Sequence, residues 1–387
     1  HEIRPGKYAL EGLPAFFGRE GWETLSILLR DPCSGIEAEL LYGVCEEDDL
    51  ITRAVRLTNR GDRPAALCRA MSLCLDFNRA DLDLVTFDGG HVKERNLNRA
   101  ALRPGVQSVG SLRGTSSHQH NPFVILCERD AGEEHGLCYG AMLLYSGNFQ
   151  AAAEADQFEN ARLVMGLNPY QFAWTLEPGG AFTAPEAAMV CSPWGFGPMS
   201  RQFHRAIRKS LIRDPWADRR KPVLINHWEA TEARFTADRL AEIAQEAAAL
   251  DLELFVMDDG WFGARDDDNA GLGDWFVNEE KLPGGLGALV ERVKALGMSF
   301  GIWIEPEMVN EDSELYRAHP DWILNVPGRR PSRGRNQLVL DFSRQDVREH
   351  IYTQIKTVLS SADISYVKWD MNRSLTEVWS PALPVNL

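Results

Sequence analysis

Tyr366-Val-Lys-Trp-Asp-Met-Asn-Arg373 closes the last apolar run of the chain. In it Lys368, Asp370 and Asn372 alternate with Val367, Trp369 and Met371. On a strand, residues two apart share one face, so a cation, a carboxylate and an amide are expected to point the same way. A polar row at the end of a buried strand costs free energy unless its groups find partners or perform chemistry. A structural ion pair on an edge strand satisfies that condition as well as a functional site does. The stretch alone leaves both readings open.

Working back from it, the chain alternates apolar runs with helical ones as far as Pro222. Val223-Leu-Ile-Asn-His-Trp228, Glu253-Leu-Phe-Val-Met-Asp-Asp259, Ser299-Phe-Gly-Ile-Trp-Ile-Glu305 and Ile364-Ser-Tyr-Val-Lys-Trp-Asp370 read as strands. Residues 237–250, 286–296 and 347–360 read as helices, the second stopped by Gly297. Such alternation predicts a parallel α/β sheet. Each strand ends in polar or aromatic residues: Asn226 and Trp228, Asp258 and Asp259, Trp303 and Glu305, Lys368 and Asp370. Functional groups at the ends of successive strands are the habit of a (β/α)8 barrel. No glycine-rich loop follows the first strand, which weakens a dinucleotide-binding reading. Four units make about half of an eight-unit barrel. The expectation is therefore a chain that continues past Leu387.

Residues 1–197 carry a different pattern. Runs at 23–29, 37–44, 50–58, 123–126, 141–145 and 172–176 show partial period-two alternation between turn signals such as Asn59-Arg-Gly-Asp62 and Pro178-Gly-Gly180. They predict an antiparallel β-sandwich. His118 and His120 suggest a metal pair, but no third ligand has helpful spacing, and Asn121-Pro122 reads as a turn, so a surface loop is the better reading. Residues 198–221 read as a helical linker, with Phe203, Ile207 and Leu211 on one helical face and a charged connector behind them. The catalytic candidates then fall in 222–387.

A chain of 387 residues is long enough for two domains. Its net charge of −15 argues against nucleic-acid or anionic-membrane partners. No run of eighteen apolar residues occurs, so no membrane helix is expected. The seven cysteines, Cys33 to Cys191, lack C-x-x-C spacing and fit free thiols in a reducing, cytoplasmic compartment. The chain begins at His1, and a missing beginning is expected.

Among the strand-end groups, Asp258-Asp259 suits sugar hydroxyls or a metal, or a helix cap and turn before Gly260. Asp266-Asp-Asp-Asn-Ala-Gly271 departs from the EF-hand pattern at Ala270 and lacks the closing glutamate, Val277 standing in its place. It reads as a solvated loop, and no metal is expected. Trp228 and Trp303 are stacking platforms or core, and Arg335 is a carboxylate or hydroxyl donor or an ordinary loop arginine. A retaining glycosidase needs two carboxyl groups about 5–5.5 Å apart. Asp370 suits its nucleophile, with Lys368 expected to keep it ionised.

Five motifs in order carry a resemblance: Val223-Leu-Ile-Asn-His-Trp-Glu-Ala230, Phe255-Val-Met-Asp-Asp-Gly-Trp-Phe262, Gly301-Ile-Trp-Ile-Glu-Pro-Glu-Met-Val309, Arg335-Asn-Gln-Leu-Val-Leu-Asp341 and Lys368-Trp-Asp-Met-Asn-Arg373. Together with Lys7-Tyr-Ala-Leu-Glu-Gly-Leu-Pro14 and Ser116-Ser-His-Gln119, they resemble the microbial α-galactosidases of glycoside hydrolase family 36 over essentially the whole chain. The resemblance implies a β-supersandwich followed by the first half of a (β/α)8 TIM barrel. It implies retaining hydrolysis of terminal α-galactosides such as melibiose and raffinose, without a cofactor. It implies a homo-oligomer, a tetramer in bacterial members. Asp370 matches the nucleophile, Asp258 and Asp259 hydroxyl acceptors, and Lys368 and Arg335 donors. Asn372 matches a further polar contact, and Trp228 and Trp303 the aromatic walls. The family's acid/base aspartate and the loop that lines the sugar's 2-position come later than this chain reaches, so residues 1–387 alone are expected to be inactive. The alternatives are an α-N-acetylgalactosaminidase, a raffinose-type galactosyltransferase, or a non-catalytic carbohydrate-binding protein.

Overall fold

The computed structural model describes residues 1–383 apart from residues 117 and 214. The chain divides into two compact units after Arg219.

The first unit is built on a ten-stranded sheet, faced by a three-stranded one formed by Met71–Phe77, Phe149–Ala155 and Ala161–Leu167. All strand pairs in these sheets are antiparallel. The strand His120–Glu128 shows how sequence places the core. Val124 and Leu126 pack with Leu73, Leu163 and Met165 of the smaller sheet. Ile125 and Cys127 point the other way, toward Met199, Phe203 and Ala206 of the helix Phe196–Ser210. Both faces are covered, which is why Phe123-Val-Ile-Leu126 is a continuous apolar run.

Two expectations change here. The helix assigned to a linker at 198–221 instead packs its apolar stripe on the large sheet, inside the first unit. Asn121-Pro122 is not a turn. Both residues lie within the strand His120–Glu128, where the pairing with Leu82–Gly90 slips between His120 and Val124. An irregularity of that kind tolerates a proline, which has no N–H to give to the ladder.

The second unit contains four parallel strands, Leu224–Asn226, Leu254–Met257, Ser299–Ile304 and Tyr366–Trp369, adjacent in chain order. A doubly wound sheet reverses its strand order at a switch point. Sequential order without reversal is that of a barrel wall. The helices Ala237–Ala248, Gly285–Lys294 and Gln345–Ser360 each bury a stripe at helical spacing: Leu240, Ile243, Ala244 and Ala247 in the first, Val347, Ile351, Ile355 and Val358 in the last. Thr236 caps the first of them by accepting the Arg239 N–H. Between the third and fourth strands lies an antiparallel pair, Met308–Asn310 with Gln337–Val339.

The first strand stops earlier than its sequence suggests. Trp228 opens a short helix, Trp228–Thr231, rather than ending a strand. The Asn226 side chain accepts the Trp228 N–H at 2.8 Å, a local turn that competes with further pairing.

Candidate active site

The C-terminal ends of the four parallel strands bring polar side chains together. In-register pairing of Trp303 with Lys368 sets the third strand against the fourth. The ladder continues one residue further, with the Asp370 N–H donating to the Ile304 carbonyl at 2.8 Å. The Asp370 carboxylate is half-buried and receives three donors. Trp303 Nε1 at 2.9 Å and Asn372 Nδ2 at 2.7 Å reach Oδ2, and the Met371 N–H at 3.0 Å reaches Oδ1. Burial pushes this carboxyl up, but the hydrogen bonds from Trp303, Asn372 and Met371, with the Lys368 charge, hold it below the usual carboxylate value. Asp370 is therefore ionised at neutral pH.

Lys368 helps keep Asp370 ionised, but without touching it. Its Nζ is ion-paired with Asp258 Oδ2 at 2.8 Å, and it acts on Asp370 only through its field. Trp303 and Asn372 take the direct positions because Oδ2 faces them. Asp258, 3% exposed, also accepts Asn226 Nδ2 on Oδ2 and the Asp259 N–H on Oδ1. Asn226 thus joins Asp258 to the backbone of Trp228. Gly260 follows with φ 108, and a Cβ there would lie 2.8 Å from the Ala233 backbone, so the turn after the two aspartates needs glycine.

Asp259 is held by Arg265, which is 1% exposed and donates Nε and Nη2 to the two carboxylate oxygens at 2.7 to 3.1 Å. Burial raises the Asp259 carboxyl and Arg265 opposes it. Arg265 Nη2 also reaches Asp268 Oδ1 at 3.3 Å, and Asp268 Oδ2 accepts Arg335 Nη2 at 3.0 Å. Asp268, from the acidic run read as a solvated loop, therefore bridges the arginine under Asp259 to the exposed Arg335. Trp303, 1% exposed, stacks on Phe262 with ring centroids 6.0 Å apart and planes 3° from parallel. Its ring is built into the core, and its indole N–H is the part that meets Asp370.

The structure thus brings Asp258, Asp259, Trp303, Lys368, Asp370 and Asn372 to one set of strand ends: Trp303 and Asn372 bond Asp370, Lys368 bonds Asp258 beside Asp259, and the Lys368 charge acts between the two groups. Arg335 joins through Asp268, and Trp228 through Asn226. Sequence reasoning missed Arg265 and the burial of Glu305. Glu305 was visible as a strand-end residue. Arg265 carried no periodic signal.

Acidic and amide groups gather at the C-terminal ends of sequential parallel strands, the place where barrel enzymes carry their active sites. Residues 1–177 match the glycosyl hydrolase family 36 N-terminal domain, and residues 181–386 match melibiase. The bifunctional α-galactosidase/sucrose kinase AgaSK of Mediterraneibacter gnavus is 51% identical over 381 residues, 98% of this chain and 41% of that protein. The crystal structure of the GH36 α-galactosidase AgaB from Geobacillus stearothermophilus has a TM-score of 0.97 and 50% identity, covering 100% of this chain and 54% of that one. A substituted AgaA from the same organism, solved in complex with raffinose, has a TM-score of 0.97 and 49% identity over 99% of this chain and 54% of that one. The chain belongs to glycoside hydrolase family 36. It spans about half the length of the curated relatives it matches.

Proposed function

We propose that this chain supplies the nucleophile side of a retaining α-galactosidase acting on terminal α-galactosyl residues of oligosaccharides such as melibiose and raffinose. The observation that carries the reading is Asp370, kept ionised at the end of the fourth parallel strand by Trp303, Asn372 and Met371. In this reading the Asp370 carboxylate attacks the anomeric carbon. A carbon–oxygen bond forms to Asp370 while the bond to the leaving oxygen breaks, and that oxygen takes a proton from a second carboxyl. Water then releases the galactosyl group. Asp258, Asp259, Lys368, Arg335 and Asn372 are the polar groups for the sugar hydroxyls and Trp228 the aromatic wall, while the core-packed Trp303 acts through its indole N–H on Asp370. The relative crystallised with raffinose supports this substrate class.

In this reading residues 1–219 form the β-supersandwich domain, the helix Phe196–Ser210 included, and the chain from residue 220 onward the first half of the barrel. The second carboxyl belongs to a later barrel strand, so residues 1–387 expressed alone do not hydrolyse raffinose or melibiose at a useful rate. The working protein is a cytoplasmic homo-oligomer. The test is Asp370→Asn in the full-length natural protein, which abolishes hydrolysis of melibiose. Wild-type turnover by that variant removes Asp370 from the role. Parallel assays with α-galactosides and α-N-acetylgalactosaminides, with and without a sugar acceptor, separate the hydrolase from its nearest alternatives.

A further inference from the structure

Glu305 directly follows the third parallel strand and is fully buried. A carboxyl so placed needs partners for both oxygens. One oxygen accepts the Asn372 N–H, and the other lies 3.1 Å from Gln337 Nε2. The same Asn372 donates its side-chain amide to Asp370. One residue therefore ties the two carboxyls together, through its backbone to Glu305 and through its side chain to Asp370.

Gln337 is 1% exposed, and in this orientation its Oε1 has no hydrogen-bond partner. Turning the amide over exchanges the two atoms and sets Oε1 against Glu305, where it accepts a carboxyl O–H. Gln337 thus serves an ionised Glu305 as donor and a neutral one as acceptor. The charged groups around Glu305 are Asp370, Asp259 and Arg265. Arg265 is committed to Asp259, and Lys368 to Asp258. Among the described residues no lysine or arginine makes an ion pair with Glu305. Burial, with repulsion from Asp370 and Asp259, pushes its carboxyl up to about 7 against the Asn372 hydrogen bonds.

We propose that Glu305 is a positioning residue for Asp370: its carboxyl fixes the Asn372 turn that orders Asp370, and its proton leaves Asp370 as the carrier of charge at that point. The inference rests on the reading of Asp370 as nucleophile. Losing the Glu305 proton places a second negative charge beside Asp370. That charge makes Asp370 more basic and favours the cationic sugar of the transition state, so galactosylation speeds up as pH rises through the Glu305 ionisation.

The test is inactivation of the full-length natural protein by a mechanism-based galactosyl fluoride. Fluoride departure draws little on the acid catalyst, so the pH profile reports the nucleophile side. Glu305→Gln imitates the neutral form, accepting the Asn372 N–H and donating to the turned Gln337. The wild type is expected to inactivate roughly three- to tenfold faster at about pH 8 than at about pH 6, as one added charge near a developing cation requires. Glu305→Gln is expected to give a flat profile at the low-pH rate. Glu305→Ala, which strands the Asn372 N–H, is expected to be at least about tenfold slower throughout. A Glu305→Gln profile that keeps the wild-type rise overturns the proposal, as does Glu305→Ala labelling at the wild-type rate. Labelling of Asp370→Asn at the wild-type rate is a separate failure, that of the nucleophile assignment.

Discussion

Arg265→Met removes the cation beneath Asp259 while keeping most of the side-chain volume. Arg265 gives Asp259 contacts at 2.7, 2.9 and 3.1 Å, and further bonds to Asn310 Oδ1 at 3.1 Å and the Ala270 carbonyl at 3.2 Å. Both partners of the pair are buried, with side chains 1% and 8% exposed. Breaking a buried ion pair from one side costs about 3–5 kcal/mol, because the remaining charge is left without compensation. The second unit is expected to lose that much at pH 7. Asp259 already has its carboxyl raised by burial, and losing Arg265 raises it further. A carboxyl raised in the folded state binds more protons there than in the unfolded chain, so it destabilises at high pH. The deficit must shrink as pH falls through the raised folded value toward the ordinary aspartate range. Urea unfolding followed by tryptophan emission reads mainly the second unit, since seven of the eleven tryptophans come after Arg219. Adding Asp259→Asn to Arg265→Met removes the stranded charge and should restore part of the loss. A loss below about 1 kcal/mol, or a double variant no more stable than Arg265→Met, refutes the reasoning.

Asn372→Ala takes one of two side-chain donors from Asp370 Oδ2 but keeps the backbone bond to Glu305. A hydrogen bond to a charged group is worth about 1.5–3 kcal/mol, so kcat/KM of the full-length protein on melibiose should fall about 10- to 100-fold. The acidic limb of the profile should move to higher pH, because a stabiliser of the ionised form is gone; an unmoved limb contradicts this. In the first unit, Lys7 and Glu186 form an ion pair with both side chains 0% exposed, and Glu186 also accepts the Phe16 N–H at 2.7 Å. Lys7→Met should cost that unit about 3–5 kcal/mol in thermal unfolding, and a neutral result would show the pair to be dispensable.

The strand–helix order, the antiparallel first unit and the shared face of Lys368 and Asp370 were all legible, because each follows from a local period of two or 3.6. Which residue on that face meets which partner was not. Trp303 reaches Asp370, and Lys368 reaches Asp258, because of the parallel register between the third and fourth strands, which no local pattern encodes. Arg265 sits in an aperiodic loop, and its importance comes from burial beside Asp259. Trp228 was misplaced because a side chain, Asn226, ended the strand before the apolar run did. Asn121-Pro122 imitated a turn because a strand irregularity accepts the same residues.

The most direct measurement is covalent. The full-length natural protein, inactivated with a mechanism-based galactosyl fluoride, is digested and the labelled peptide is sequenced by mass spectrometry. The account predicts one galactosyl adduct, on Asp370 in the Lys368–Arg373 stretch, absent from Asp370→Asn. An adduct on any other carboxylate, or one retained in Asp370→Asn, contradicts it.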